Sequence, residues 1–171
     1  MNNQSPPQTS ARALISPLNK GLGFLEHAIR REDIASLGWN LLREDLSLPS
    51  AVLYEDRLLH NLNWMQQFIA AYGVKLAPHG KTTMAPLLFD LQLQAGAWGI
   101  TLATAHQTLV AHAHGVRRVL MANQLIGKEN LAIIGRLLCD PEFEYYCLVD
   151  SAAQIDQLGA FYSRLGQRLQ V

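Results

Sequence analysis

A parallel α/β fold is predicted by three features of the sequence. From Ala51 onward, strand and then helix alternate with a period of about 24 residues. The strands read as short apolar runs, as strands covered on both faces do, with Trp98-Gly99-Ile100-Thr101-Leu102-Ala103 the clearest. The helical stretches end at glycines. A doubly wound open sheet and a closed barrel both fit this rhythm. No G-x-G-x-x-G follows a strand, which weakens the dinucleotide-binding form of the open sheet.

Taken in order, residues 1–17 are polar and rich in Ser, Pro and Gln, and are expected to form a disordered tail. Residues 18–48 mix Leu22, Phe24, Leu25 and Ile29 with charges and are expected to hold one or two short helices. Leu48-Pro49-Ser50 breaks the chain, and Ala51 to Tyr54 is expected as a short strand. From Glu55 to Tyr72 the pattern is helical, with Leu58, Leu62, Met65 and Ile69 on one stripe and Trp64, Met65 and Phe68 assigned to helix packing. Gly73 ends that helix where a left-handed residue is wanted. Val74 to Pro78 is expected as the next strand. Pro86 suits a helix first turn, and Leu87, Leu91 and Ala95 share a face before Gly96.

Thr104 is the expected cap of a helix that runs to His114 and stops at Gly115. Arg118 to Ala122 is a strand, Lys128 to Leu138 a helix, and Glu144 to Val149 a strand. Asp150 and Ser151 are expected to cap a helix with Ile155, Leu158 and Tyr162 on one face, ended by Gly166. Arg168 to Val171 opens one more strand. A closed barrel needs eight units and typically ~250 residues. The 171 residues therefore read as the front half of something larger.

Composition excludes several classes. Fourteen basic residues balance fourteen acidic ones, so neither nucleic acid nor an anionic membrane is an expected partner. No apolar run is long enough to span a bilayer, and the first residues lack a secretory pattern. Cys139 and Cys147 supply neither a disulfide framework nor metal-ligand spacing. A reduced, cytoplasmic protein is expected.

Lys81 draws attention because it follows the Val74–Pro78 strand by three residues, at the end of a parallel sheet where βα loops gather. A lysine with an ordinary pKa of ~10.4 is a poor nucleophile. Its neighbours are mostly small or uncharged, and desolvation would lower that pKa and permit Schiff-base chemistry. His79 could stack on a ring, hold a hydrogen bond or relay a proton, and Gly80 would let the backbone approach a flat cofactor. Gly80-Lys81-Thr82 mimics the end of a phosphate-binding loop, but that motif wants glycine where Lys75 stands. Position alone favours a solvated surface charge for Lys81 and a satisfied loop histidine for His79.

Pro78-His79-Gly80-Lys81-Thr82 closely resembles the Pro-His-x-Lys-Thr motif of the D-threonine aldolase and D-serine dehydratase family. The resemblance covers about Leu46 to Val171, including Leu91 to Thr104 and Gly115 to Gln124, and is strongest toward bacterial amino-acid deaminase members, which share Ala-Pro-His-Gly-Lys-Thr-Thr-Met. It implies pyridoxal 5'-phosphate held by Lys81 and an alanine racemase-like (β/α)8 TIM-type barrel, of which residues 49–171 are the N-terminal half. The rest of the barrel and a β-rich domain would lie outside this chain. The resemblance further implies a homodimer and a small-molecule D-amino acid as substrate. A divalent metal and much of the phosphate grip would be supplied by residues beyond this chain. The implied reaction is β-elimination from a D-serine- or D-threonine-like substrate to a keto acid and ammonia, with retro-aldol cleavage or a non-catalytic cofactor-binding barrel as alternatives. The 171 residues alone are expected to be inactive. Ala77 and Thr83 depart from the family, whose better-known members carry Arg before Pro-His and His after Lys-Thr, and this puts the substrate in doubt.

Asn123 and Gln124 follow a strand at the same end and could reach cofactor or substrate, or serve as loop-capping amides. Asp150 is expected to cap. His106, His112 and His114 are read as surface histidines, since 112 and 114 share no helix face and no carboxylate accompanies them. No metal ligands are expected here.

Overall fold

The computed structural model describes residues 14–22 and 24–171, which divide into two units, one up to Arg57 and one from Leu58 to Val171. Most of the expected disordered tail lies outside the described residues. At its end, Leu14–Ile15 (β1) pairs antiparallel with Ile29–Arg30 (β2). Two short 3-10 helices follow, Arg31–Leu37 and Leu41–Arg43. Asn40 caps the second, its side chain accepting the Leu42 N–H at 2.8 Å. The Asp45 carboxylate accepts from the Asn40 N–H at 2.8 Å and from Arg43 Nη2 at 3.0 Å. The expected strand at Ala51 to Tyr54 is not formed: the segment has no strand partner among the described residues, and Val52, Leu53 and Tyr54 are exposed.

Helix α1 (Glu55–Ala71) is as expected, with Ile69 its buried anchor and Gly73 left-handed behind it. Trp64 and Phe68, expected to serve helix packing, are exposed; Trp64 stacks on Phe68 and Phe68 tilts against Tyr72, with ring centroids 5.4 and 4.7 Å apart. Helix α2 (Pro86–Gln94) is held by Phe89, fully buried, whereas the expected Leu87 is exposed. Burying a ring that size stabilises by about 2–3 kcal/mol.

Three parallel strands follow in alternation with helices: β3 (Ile100–Leu102), α3 (Ala105–Ala113), β4 (Arg118–Gln124), α4 (Lys128–Leu137), β5 (Glu144–Leu148) and α5 (Ala152–Arg164). Sheet order follows chain order, β3-β4-β5. The Val74–Pro78 segment lies along β3 without completing a strand. Leu76 and Pro78 carbonyls accept from the Trp98 and Thr101 N–H groups, each at 2.8 Å, and His79 pairs with Thr101. Pro78 has no N–H to give to a ladder, so the pairing stays partial. On the far side Gln170 pairs with Tyr146.

Helices α3 and α4 pack together, as do α4 and α5. The strand face toward the core carries Ile100, Leu102, Val119, Met121, Tyr145 and Cys147, all buried. The expectation of strands covered on both faces fails for β4 and β5, where buried residues alternate with half-buried Leu120 and Tyr146 and exposed Leu148. In α5, Gln154, Leu158 and Tyr162 are buried while the expected Ile155 is exposed. Tyr162 donates to the Leu131 carbonyl at 3.0 Å, and burial pushes its phenol pKa up. Among the described residues no helix is long and apolar enough to cross a membrane.

Candidate functional site

Hydrogen bonds close the Lys81 turn. The Gly80 N–H donates to the Thr101 carbonyl at 2.8 Å, binding the turn to β3. Gly80's own carbonyl accepts the Met84 N–H at 3.0 Å and the Thr83 hydroxyl at 3.4 Å. Gly80 is buried, and a Cβ there would lie 2.5 Å from the Phe89 ring and 2.9 Å from Ile100 Cγ2. The glycine is needed for core packing beneath the turn. Lys81 itself is exposed, so the expected desolvation of its amine is not found, and it forms no ion pair among the described residues. His79 is exposed beside it.

A row of amides continues along the same end of the sheet. Gln107 Nε2 donates to the Lys81 carbonyl at 3.4 Å, and its Oε1 accepts the Ala103 N–H at 3.0 Å. Asn123 Nδ2 donates to the Ala103 carbonyl at 3.3 Å, while Asn123 Oδ1 accepts the Gln124 N–H at 2.9 Å. Both ends of the Asn123 amide thus bond nearby backbone. Gln124 Nε2 donates to Asp150 Oδ2 at 2.9 Å. A register shift between Met121 and Gln124 turns β4 here and sets Gln124 opposite Leu148. Asp150 is not the helix cap: Ser151 is, accepting the Gln154 N–H at 3.3 Å, and the Asp150 carboxylate is left for Gln124. Thr104 caps α3 as expected. Lys81, His79, Asn123, Gln124 and Asp150 are thus brought to one rim. Gln107 and Gln154 were not anticipated, although the spacings Thr104-x-x-Gln107 and Ser151-x-x-Gln154 are capping-box signals.

The opposite end of the sheet is built differently. Arg118 lies over the Trp98 ring at 4.9 Å, donates through Nη1 to the Trp98 carbonyl at 3.0 Å, and grips Glu144 with Nε at 2.7 Å and with Nη2. Tyr146 donates to Glu144 Oε2 at 3.1 Å. The Arg118 hydrogen bond holds the Glu144 carboxyl below the usual carboxylate range. Nearby, His112 has a carboxylate partner after all: its Nε2 lies 2.9 Å from Asp140, which Arg117 also reaches at 2.7 Å. The sequence spacing of 28 residues hid this pair. His114 Nδ1 lies 2.9 Å from the Val110 carbonyl. Among the described residues no group of three or more His, Cys, Asp and Glu could hold a metal ion.

No protein-family model matches the chain. It is 32% identical over 128 residues to the D-threo-3-hydroxyaspartate dehydratase of Delftia sp. (strain HT23), covering 74% of this chain and 33% of that protein. To the D-threonine aldolase of Arthrobacter sp it is 28% identical over 123 residues, 72% of this chain and 32% of that protein. The crystal structure of D-threonine aldolase from Filomicrobium marinum superposes with a TM-score of 0.68 at 25% identity, over 73% of this chain and 33% of that one. The chain spans about one third of the length of the relatives it matches. Over about 73% of its own length, this chain is similar to proteins named D-threo-3-hydroxyaspartate dehydratase and D-threonine aldolase.

Proposed function

We propose that the protein carrying this chain is a pyridoxal 5'-phosphate-dependent lyase acting on D-amino acids, with Lys81 as the cofactor lysine. One observation carries the reading: Lys81, inside the Pro78-to-Thr83 segment, stands at the C-terminal end of a parallel sheet, where α/β folds gather their chemistry. The homology to a dehydratase and an aldolase of D-configured hydroxy-amino acids supports it. Strand neighbours follow chain order, as they do in a (β/α)8 barrel. In that reading this chain is the barrel's front half. The whole protein would be a cytoplasmic homodimer, with a divalent metal, if used, held by other residues.

The residues present fit the cofactor. An amine outside any ion pair among the described residues, with amides of Gln124 and Asn123 on the same rim, matches an aldehyde that needs a lysine and polar partners for its ring substituents. Once bound, pyridoxal phosphate supplies an electron sink for negative charge at the substrate Cα. Lys81 Nζ is the group to take up and return the Cα proton. Gln124, held by Asp150, keeps its Oε1 for a cofactor or substrate donor. His79 stands beside Lys81 to orient or relay. Loss of the β-hydroxyl together with the Cα proton, as water, leaves an enamine that tautomerises to an imine, and water hydrolyses that imine to keto acid and ammonia. The aldolase relatives favour a second reading, Cα–Cβ cleavage to glycine and an aldehyde.

Borohydride reduction of the cofactor-loaded protein followed by peptide mapping is the test. Label on the peptide bearing Lys81, lost in Lys81→Ala, is expected; label elsewhere overturns the assignment. D-Serine, D-threonine and D-threo-3-hydroxyaspartate assayed for keto acid against glycine separate the two lyase reactions. Bound cofactor with neither product would favour a non-catalytic carrier.

A further inference from the structure

Two glutamines stand third in their helices behind a hydroxyl cap, in Thr104-Ala105-His106-Gln107 and Ser151-Ala152-Ala153-Gln154. Each backbone N–H donates to the cap hydroxyl, at 3.1 Å for Gln107 and 3.3 Å for Gln154. Each Oε1 accepts the N–H of the residue before the cap, Ala103 at 3.0 Å and Asp150 at 3.2 Å. To this point the two are the same reciprocal capping device.

They part at Nε2. Gln154 donates to the carbonyl of Leu148, six residues upstream in its own strand, at 3.4 Å. The matching carbonyl for Gln107 is that of Thr101, and the Gly80 N–H already occupies it at 2.8 Å. Gln107 Nε2 is turned instead to the Lys81 carbonyl, 26 residues away, at 3.4 Å. Every bond of Gln154 stays within its own strand-to-helix connection, whereas this one bond of Gln107 reaches outside it.

We propose that Gln107 is a positioning residue for Lys81, tying the lysine's own carbonyl to the end of β3 and the first turn of α3. The proposal rests on the reading of Lys81 as the cofactor lysine. Within the turn, the Thr83 hydroxyl and the Met84 N–H both donate to the Gly80 carbonyl. Gln107 adds a hold on Lys81 from outside, so the turn is ordered before any ligand arrives, and binding need not supply that order.

Gln107→Glu keeps an oxygen for the Ala103 N–H but sets a second oxygen against the Lys81 carbonyl, so it separates tether from cap. Gln154→Glu makes the same change where no tether exists. In cofactor-free protein, amide hydrogen exchange over residues 79–84 is expected to quicken about fivefold in Gln107→Glu, the worth of one hydrogen bond, and to stay unchanged in Gln154→Glu. Half-saturation by pyridoxal phosphate, read from borohydride-fixed label, is expected to rise by a similar factor in Gln107→Glu only. Should Gln107→Glu unfold the protein, Gln107→Met takes its place with Gln154→Met as its control, since both lose the amide's cap bond and only the first loses the tether to Lys81. Equal exchange in both variants, or unchanged half-saturation in the Gln107 variant, overturns the proposal. Label on a different lysine overturns the Lys81 reading instead, whatever exchange at residues 79–84 reports.

Discussion

At one end of the sheet Arg118 stacks on Trp98 and closes on Glu144, which Tyr146 also bonds, so charge and aromatic area are spent on one another. At the other end Lys81 and His79 are exposed, and Asn123, Gln124 and Gln107 hold loops to loops. The same strands make both ends. The difference lies in where polar groups find partners: across adjacent strands at the N-terminal end, and between the connecting loops at the C-terminal end. A parallel sheet allows this because every βα loop emerges on one side, while the αβ loops on the other are free to be built for stability.

The largest expected effect tests that division directly. On the proposed role of Lys81, in which one group both carries the cofactor and moves the proton, Lys81→Ala should lower D-amino-acid turnover by the cofactor-loaded protein by at least about a thousandfold. Its denaturant midpoint without cofactor should be unchanged, because the Lys81 side chain is exposed and bears no packing. A large loss of stability would break the comparison.

Gly80→Ala is the next largest and the most discriminating. Gly80 belongs to the C-terminal end by position and to the core by burial, with the Phe89 ring and Ile100 filling the space of its absent side chain. The added methyl should cost about 1–3 kcal/mol in urea unfolding. It should also weaken pyridoxal phosphate binding, because the turn must shift to admit it. Lost stability with untouched cofactor affinity would show that the Lys81 turn is not set by what lies beneath it.

How much of this was readable beforehand follows the range of the interactions. Helix limits were legible because caps and stops are local: Thr104 and Ser151 accept from residues three along, and Gly73, Gly96 and Gly115 have the positive φ that ends a helix. The Lys81 segment was legible through its wording, and Asn123 and Gln124 were singled out by position, although they prove to be the last residues of β4 rather than to follow it. The neighbours of these residues were not. Nothing local says that the Thr101 carbonyl is taken by Gly80, that Asp140 meets His112, or that Gln124 claims Asp150 from its cap. The 3.6-residue period found the inner stripe of α1 but not that Trp64 and Phe68 would stack outside it, because period defines a face and not what covers it. Phe89 displaced Leu87 as the anchor of α2 for the same reason: the cavity under Gly80 selects the ring, and that cavity is made by a residue nine positions away.

The smallest expected effect belongs to the N-terminal end and appears in acid. Arg118 bonding lowers the Glu144 carboxyl; the Glu142 N–H, and then His112 and Arg117, lower that of Asp140. A carboxylate whose folded pKa lies below its unfolded value, ~4.3 for Glu and ~3.9 for Asp, stabilises fully above that range. The contribution is lost as pH falls through the folded value. Urea midpoints should therefore hold steady near neutrality and fall below about pH 4. Glu144→Gln removes one such carboxylate, and because the pair is half exposed the cost at neutral pH should be only about 0.5 kcal/mol. Wild-type and variant midpoints should converge in acid, where Glu144 is protonated in both folded and unfolded chains. Product ratio and cofactor half-saturation should not move. A change in either would mean that the Arg118–Glu144 cluster reaches the Lys81 rim through the length of the strands, and the two ends would have to be treated as one.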